Sequence, residues 1–226
     1  MALPTTTRKL RVLALHGYRQ NASIFRGRVG HLRKGLKSRA DFDFLDAPHP
    51  APLLSDADAA GAPPADADPR SWWLWEDGGS SGRPSLVSSI SGWTDATLPL
   101  LLATLAAADP PYDGLLGFSQ GGASVALLLA ALPRERRPKF AVIAGGFLPR
   151  DDALAASVRC AAIDTPTLFV AGDADALIPP DRTEALAACF AEGAATWLRH
   201  PGGHAVPTCS GAVKAAYIDF LDGVSV

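Results

Sequence analysis

The feature that most constrains this chain is the pentapeptide Gly117-Phe118-Ser119-Gln120-Gly121, set between two apolar runs of different period. Before it, Tyr112 to Phe118 is short and mostly apolar, the pattern of a buried strand. After it, Val125, Leu128, Leu129 and Leu132 recur at helical spacing within Ala123 to Leu132. A backbone that passes from strand to helix in so few residues must turn sharply, and a side chain at either flanking glycine would obstruct the turn. The serine is then held in a strained conformation with its hydroxyl projecting beyond the strand end. The first free N–H groups of the helix favour negative charge at that same point. Such a pentapeptide also arises by chance in a chain rich in small residues. The strand before it and the helix after it are what make Ser119 a candidate nucleophile.

The rest of the chain alternates in the same way. Strand-like runs fall at Leu10–Leu15, within Asp41–Asp46, at Phe140–Ala144, at Thr167–Ala171 and at Thr196–His200. Between them, Phe25, Val29, Leu32 and Leu36 predict one helix behind the cap candidates Asn21 and Ser23. Leu98, Leu101, Leu102 and Leu105 predict a second over Thr94 to Ala108. Leu186, Cys189 and Phe190 mark another, stopped by Gly193, and Val213, Tyr217, Phe220 and Leu221 mark the closing one. Alternation of this kind predicts an α/β fold: a doubly wound, mainly parallel sheet of about six strands with helices on both faces. No period repeats along the chain, so a solenoid is not expected.

At 226 residues, one domain spanning 1–226 can bury a large core. A formal net charge of −2 gives no global electrostatic reason to expect nucleic acid or an anionic membrane as partner. The basic positions Arg26, Arg28, Arg33, Lys34, Lys37 and Arg39 read more simply as the solvated face of the first helix. Three cysteines at unrelated spacings suit neither a disulfide framework nor a zinc site, which favours reduced thiols. With no signal-peptide pattern behind Met1 and no membrane-length apolar run, a cytoplasmic protein, or one shared with the nucleus, is expected.

Two stretches stand apart. Ala47 to Arg70 holds six prolines, repeated Ala-Asp pairs and hardly a large apolar residue besides Leu53 and Leu54. It cannot bury enough surface to offset its ordering entropy and reads as a flexible insert over 47–70. The composition then swings to Trp72, Trp73, Trp75 and, after a Gly/Ser-rich turn, Trp93. Any single tryptophan here could simply staple a long connection to the domain. Four of them over 71–93 also fit a cap above an apolar pocket, with Phe147 a further candidate for its wall.

Catalytic groups in a doubly wound sheet gather beyond the carboxyl ends of the strands. Those ends carry His16-Gly17-Tyr18, Ser119, Asp173 with Asp175, and His204. A serine, an acid and a histidine in that chain order suit acyl transfer. Serine needs an imidazole to take its proton and return it to the leaving group, and the acid holds the imidazole in the right tautomer. The glycine pair before His204 distinguishes it from a roleless loop histidine. His200, four residues earlier, does not form a metal pair with it, because Pro201-Gly202-Gly203 forbids the helix that would bring both to one face. His16 is read as structural. Asp173 and Asp175 share one loop; an aspartate directly after the turning glycine often caps the turn, leaving the later one freer to reach the histidine. Backbone N–H groups of Gln120 and Tyr18 are the candidate oxyanion donors. No cofactor and no metal is expected.

With these residues assembled, the chain resembles the FSH family of serine hydrolases, an α/β-hydrolase set of the short form. The resemblance runs over roughly residues 8 to 222 apart from the Pro/Ala/Asp insert. It rests on Leu15-His16-Gly17-Tyr18-Arg19-Gln20-Asn21, Trp72-Trp73-Leu74-Trp75, Gly114 to Gly121, the Gly172-to-Pro179 loop and His200-Pro201-Gly202-Gly203-His204. It implies Ser119 as nucleophile, His204 as base and Asp175 as acid. It also implies a carboxylic ester hydrolase acting on small acyl or alkyl esters, with thioester substrates such as acyl-CoA as the alternative. Gly122 stands where the family more often has alanine, and the 47–70 insert departs most from the pattern.

Overall fold

The structure, a computed structural model, describes residues 8–51, 68–75 and 89–224. Ten strands occur among them: β1 (Leu10–Leu15), β2 (Ala40–Leu45), β3 (His49–Pro50), β4 (Arg70–Ser71), β5 (Leu74–Trp75), β6 (Ile90–Ser91), β7 (Gly114–Phe118), β8 (Phe140–Ala144), β9 (Thr167–Gly172) and β10 (Ala195–His200). Six form one sheet in the order β10-β9-β8-β7-β1-β2, and every pairing in it is parallel. The order reverses between β1 and β7, so the crevice of a doubly wound sheet opens where those two strands end. The helices are α1 (Ala22–Arg28), α2 (Gly30–Gly35), α3 (Leu98–Ala106), α4 (Gln120–Ala131), α5 (Asp152–Cys160), α6 (Pro180–Ala187) and α7 (Gly211–Gly223).

Period-two alternation along the strands divides the core in two. Leu13, Leu15, Leu115, Ile143 and Phe169 face α4, α5 and α6, together with Trp72, Trp73 and Trp93. Val12, Ala14, Leu116, Phe118, Val142 and Val170 face α1, α2 and α7. Strands β7, β8 and β9 are buried along their whole length, which is why they read as continuous apolar runs. The edge strand β2 instead turns Asp41 and Asp43 outward to Lys9 and Arg11, at 3.1 and 2.9 Å.

Three sequence expectations need correction. The helix expected through Phe25 and Leu36 is two helices, broken at Val29 (φ −93°, ψ 22°) between Gly27 and Gly30. Its apolar residues still share one face, since Phe25, Val29, Leu32 and Leu36 all enter the same core. Spacing reported burial there; the flanking glycines decided continuity. Asn21 is the cap, accepting from the Ile24 N–H at 2.9 Å. The helix placed at Leu186–Phe190 lies earlier, starting at Pro180 in the first-turn position that proline favours. Helix α5 was not foreseen: its alanine-rich sequence buries Ala155 and Val158, and Asp151 caps it by accepting from the Leu154 N–H at 3.0 Å.

The stretch expected as a flexible insert over 47–70 has regular structure at its two ends. Strands β3 and β4 pair antiparallel, His49 opposite Ser71, and the Ala51 N–H donates to the Pro69 carbonyl at 2.9 Å. Residues 52–67, where the flexible excursion was expected, lie outside the described residues, as do 76–88 of the tryptophan-rich segment.

At the opposite end of the sheet from the crevice, Asp113 ties three strands together. Its carboxylate takes a two-pronged bond from Arg8 at 2.7 Å for each prong and one from the Arg11 N–H at 2.9 Å, while its own carbonyl accepts from Lys139 N–H at 2.8 Å. Burial raises the Asp113 carboxyl, but Arg8, the Arg11 N–H and Lys139 together outweigh it and hold it below the usual carboxylate range. A depressed folded pKa means stability that is present above the unfolded value, about 4, and is lost as pH falls through the folded one. Asp113→Asn is therefore predicted to lower stability by about 1–3 kcal/mol at pH 7. Urea unfolding across pH 2–7 would also show part of the acid-side loss missing in the variant.

Candidate active site

Ser119 occupies the single-residue turn between β7 and α4, with φ 55° and ψ −119°, a backbone region that a residue with a side chain rarely adopts. The neighbouring glycines make that turn possible. A Cβ on Gly121 would lie 2.2 Å from the Leu15 carbonyl oxygen, and one on Gly117 would lie 2.3 Å from that of Gly121. The first turn of α4 is thus pressed against the end of β1. Ser119 is nearly buried, its N–H donates to the Ala144 carbonyl at 2.8 Å, and its own carbonyl accepts from Ala123 N–H at 3.1 Å. Gln120 follows as the first residue of α4, so its N–H is one of the helix's free donors.

Asp175 and His204 come from the loops after β9 and β10. The His204 Nδ1–H donates to Asp175 Oδ2 at 2.7 Å, and Asp175 Oδ1 accepts from the N–H groups of Leu177 and Ile178 at 2.9 and 2.8 Å. The carboxylate is buried and fully engaged, so the tautomer is set and the lone pair is left on Nε2. That nitrogen is buried and has no hydrogen-bond partner among the described residues. The imidazole packs on the ring of Phe118, residue-next to Ser119, with centroids 4.8 Å apart. Gly145 (φ +55°) leaves room on the other side, because a Cβ there would sit 3.0 Å from His204 Cε1.

The second aspartate of the loop goes elsewhere: Asp173 pairs with Arg199 at 2.6 Å on the surface. His200 also stays apart, its Nδ1 accepting from the Gly202 N–H at 3.2 Å. Among the described residues no group of three or more His, Cys, Asp or Glu is placed to hold a metal ion.

His16 closes the end of β1. Its Nδ1–H donates to the Gly17 carbonyl at 2.8 Å and its Nε2 accepts from the Ala47 N–H at 3.1 Å. Burial pushes this imidazole down to about 4, only partly opposed by the Gly17 bond. The loop that follows, Gly17 to Gln20, turns back on itself through the Gln20 N–H to Gly17 carbonyl bond at 3.1 Å, with Arg19 at φ 58°. Tyr18 within it is half-buried, its ring edge-on to Trp75 at 5.0 Å. Gly17 is required by crowding: a Cβ there would be 2.9 Å from the Phe118 ring and 3.4 Å from Ser119 Cβ.

The aromatic candidates gather into one cluster. Trp73 meets Trp75, Trp93 and Phe147 at 6.2, 6.2 and 6.4 Å, all edge to face. Trp72 and Trp73 are completely buried and Trp93 nearly so, which makes them core; Trp75 and Phe147 keep some exposed surface. The sequence reading missed what holds this cluster to the site. The Gln120 side chain accepts from the Trp72 N–H at 3.0 Å and donates to the Trp73 carbonyl at 3.2 Å and to Ser71 Oγ at 3.1 Å. Thr97 Oγ1 donates to the Trp72 carbonyl, and the Trp72 indole N–H reaches the His16 carbonyl at 2.7 Å. A glutamine beside the serine was the one available signal, since an amide has both the donor and the acceptor that a buried backbone strand requires.

A parallel six-stranded sheet crossed in this order, with a strained serine at the strand-to-helix turn, is the α/β-hydrolase fold. Solved structures agree. Esterase PE8 superposes with a TM-score of 0.64 at 20% identity, covering 98% of this chain and 96% of its own. Zea mays acyl-protein thioesterase 2 does so at 0.60 and 18%, covering 100% and 97%. In sequence, residues 5–216 match the family described as Serine hydrolase (FSH1). Esterase OVCA2 of Homo sapiens is 36% identical over 223 residues, 95% of this chain and 96% of that protein. The chain belongs to the FSH1 serine hydrolase family. No helix among the described residues is long and apolar enough to cross a membrane.

His16 supplies a direct check on the packing at the end of β1. Its folded pKa lies below the unfolded value, so its contribution to stability is complete above about pH 6.5 and falls away as pH drops from there through 4. Nitrogen chemical shifts of the labelled imidazole are expected to show the proton on Nδ1 and a neutral ring at pH 6. A charged His16 at that pH would contradict this arrangement.

Proposed function

We propose that this protein hydrolyses carboxylic esters through an acyl-enzyme. The observation that carries the reading is the 2.7 Å bond from His204 Nδ1–H to the buried Asp175, which leaves Nε2 as the free base beside the Phe118-Ser119 turn. Ser119 Oγ attacks the ester carbonyl as His204 Nε2 takes its proton. Asp175 keeps the imidazole in the competent tautomer and stabilises the imidazolium. The tetrahedral oxyanion lies against the N–H groups of Gln120 and Tyr18, at the amino end of α4. On collapse, the C–O bond to the leaving group breaks and His204 returns its proton to that oxygen. Water, deprotonated by His204, then releases the acid and restores Ser119.

Ser119→Ala is expected to lower kcat on p-nitrophenyl esters by about 10⁴ to 10⁶. Asp175→Asn is expected to lower it by about 10⁴ through loss of the tautomer. Asp173→Asn, whose partner Arg199 is on the surface, should stay within about twofold because exposed pairs contribute little. Undiminished turnover by Ser119→Ala, or failure of Ser119 to react with a fluorophosphonate, would overturn the reading in favour of a binding protein that keeps only the fold.

A thioesterase acting on acyl-CoA or acyl-carrier substrates is the second reading. It is favoured by the row of exposed cations along α1 and α2, a face suited to phosphate-bearing partners. A kcat/KM on acyl-CoA at least tenfold above that on the matched oxygen ester would establish it; the reverse ratio would exclude it.

In the same proposal the chain is a single domain, and the connections around 47–70 and 71–93 govern access to Ser119. The support is that both are rooted at the site, through β3 and β4 and through the bonds from Gln120 to the Ser71–Trp73 stretch. Cys160, Cys189 and Cys209 are unbridged, which suits a reducing compartment such as the cytoplasm.

A further inference from the structure

The two N–H groups assigned above to the oxyanion, those of Tyr18 and Gln120, come from segments far apart in the chain, and residues 70–75 join them. On the side of Tyr18, the Arg19 N–H donates to the Arg70 carbonyl at 3.0 Å and the Arg70 N–H to the Gln20 carbonyl at 2.8 Å. The Trp72 indole N–H reaches the His16 carbonyl at 2.7 Å, and the Trp75 ring stands edge-on to that of Tyr18. On the other side, the buried Gln120 amide accepts from the Trp72 N–H at 3.0 Å. It donates to the Trp73 carbonyl and to Ser71 Oγ at 3.2 and 3.1 Å. We propose, on the ester-hydrolase reading above, that the Gln120 side chain is a positioning residue for the oxyanion hole: through residues 70–75 it fixes the Tyr18 N–H relative to its own.

Trp72 and Trp73 fall between β4 and β5, outside either two-stranded ladder, so their buried backbone groups need partners from elsewhere. A primary amide carries donor and acceptor on one rigid plane, and Gln120 spends both here. The Ser71 hydroxyl, which itself donates to the Trp73 carbonyl, takes the second amide hydrogen. Both polar atoms of the side chain are thus engaged by this segment, and the side chain acts on the reaction only through it.

Loop 17–20 closes on itself through the Gln20 N–H to Gly17 carbonyl bond, which sets its shape; Arg70 and Trp72 set where it lies. A donor displaced by about 1 Å from a developing oxyanion costs on the order of 10²-fold in rate. A bridge that holds the two donors at one separation therefore acts on the transition state and hardly on the ester before attack.

The test compares an alkyl trifluoromethyl ketone with the methyl ketone of the same chain. Ser119 Oγ adds to the activated carbonyl of the first, the serine proton passes to His204, and the carbonyl electron pair becomes an oxyanion in the hole. The second binds mainly as the unreacted ketone. Gln120→Met keeps the backbone N–H and removes the amide. It is expected to lower kcat/KM on p-nitrophenyl esters by about 10- to 100-fold and to weaken the trifluoromethyl ketone in parallel, with the methyl ketone changed by about twofold or less. In Gln120→Glu the neutral carboxyl has an O–H for the Trp73 carbonyl and an oxygen for the Trp72 N–H. Burial raises that carboxyl, so activity relative to wild type is expected to be highest near about pH 5 and to fall as the group ionises. His16, packed against Trp72 with its imidazole held down to about 4, is common to both proteins and drops out of the ratio. Trp72→Phe loosens the same bridge at its other end, so the double variant with Gln120→Met should lose less than the product of the single losses. Asp113→Asn, weakened at the opposite end of the sheet, should keep the wild-type ratio of the two ketones.

Equal weakening of both ketones in Gln120→Met, or retention of its kcat/KM, overturns the proposal, as does a Gln120→Glu ratio that stays flat with pH. If Gln120→Met does not fold, the Gln120→Glu profile and the ketone ratio of Trp72→Phe decide. Any of these results alongside Ser119-dependent hydrolysis by wild-type protein would sink this inference alone, whereas absence of any Ser119-dependent hydrolysis would sink the ester-hydrolase reading with it.

Discussion

The close approach of α4 to the end of β1 is the contact on which the rest of the site depends. Gly121 brings backbone against the carbonyls of Leu15 and His16 at a distance no Cβ could share, and Gly117 makes the matching allowance on the strand side. That approach forces Ser119 into a backbone conformation of positive φ, a strain of order 1–3 kcal/mol that surrounding structure must hold in place. The holding is done by ordinary means: the Ser119 N–H is bonded to β8, and α4 is buried almost along its length in the larger of the two cores. The same turn directs Gln120 sideways, where its amide captures the backbone of Ser71 to Trp73. One tight turn therefore positions the serine, a helix N-terminus and the root of the tryptophan-rich segment together.

The histidine and its carboxylate are organised differently. They meet because β9 and β10 are parallel neighbours whose carboxyl ends open on the same crevice, placing two loops 29 residues apart side by side. Within that frame the choice of aspartate follows from geometry and solvent. Asp175 turns inward, accepts two backbone N–H groups of its own loop and still has an oxygen for His204. Asp173 is at the surface with Arg199, where a charge needs no buried partner. Buried His16, whose imidazole burial holds well below its usual range, and the three interior tryptophans pack together at the end of β1.

Much of this was legible in the sequence because it depends on local rules. Strand and helix periods gave the alternation, and alternation implies a parallel, doubly wound sheet whose strand ends collect the chemistry. Glycines around Ser119 marked backbone positions where only close approach makes sense. The role of His16 as a structural group also followed from its place at a strand end. Less legible were features set by contacts distant in the chain. The break at Val29 leaves the apolar face intact, so periodicity is blind to it. Helix α5 has too little apolar surface to announce itself, and the tryptophans split between core and partly open positions only when the segment docks.

By itself, the sequence determined the class of fold, the strained serine and the residue types available at each strand end, because those follow from backbone sterics and from period. Only the tertiary structure decided that Asp175 meets His204 while Asp173 turns to Arg199, and where the Gln120 amide is spent. These are outcomes of packing between segments far apart in the chain. Each is settled by which polar groups lose water and must find one another.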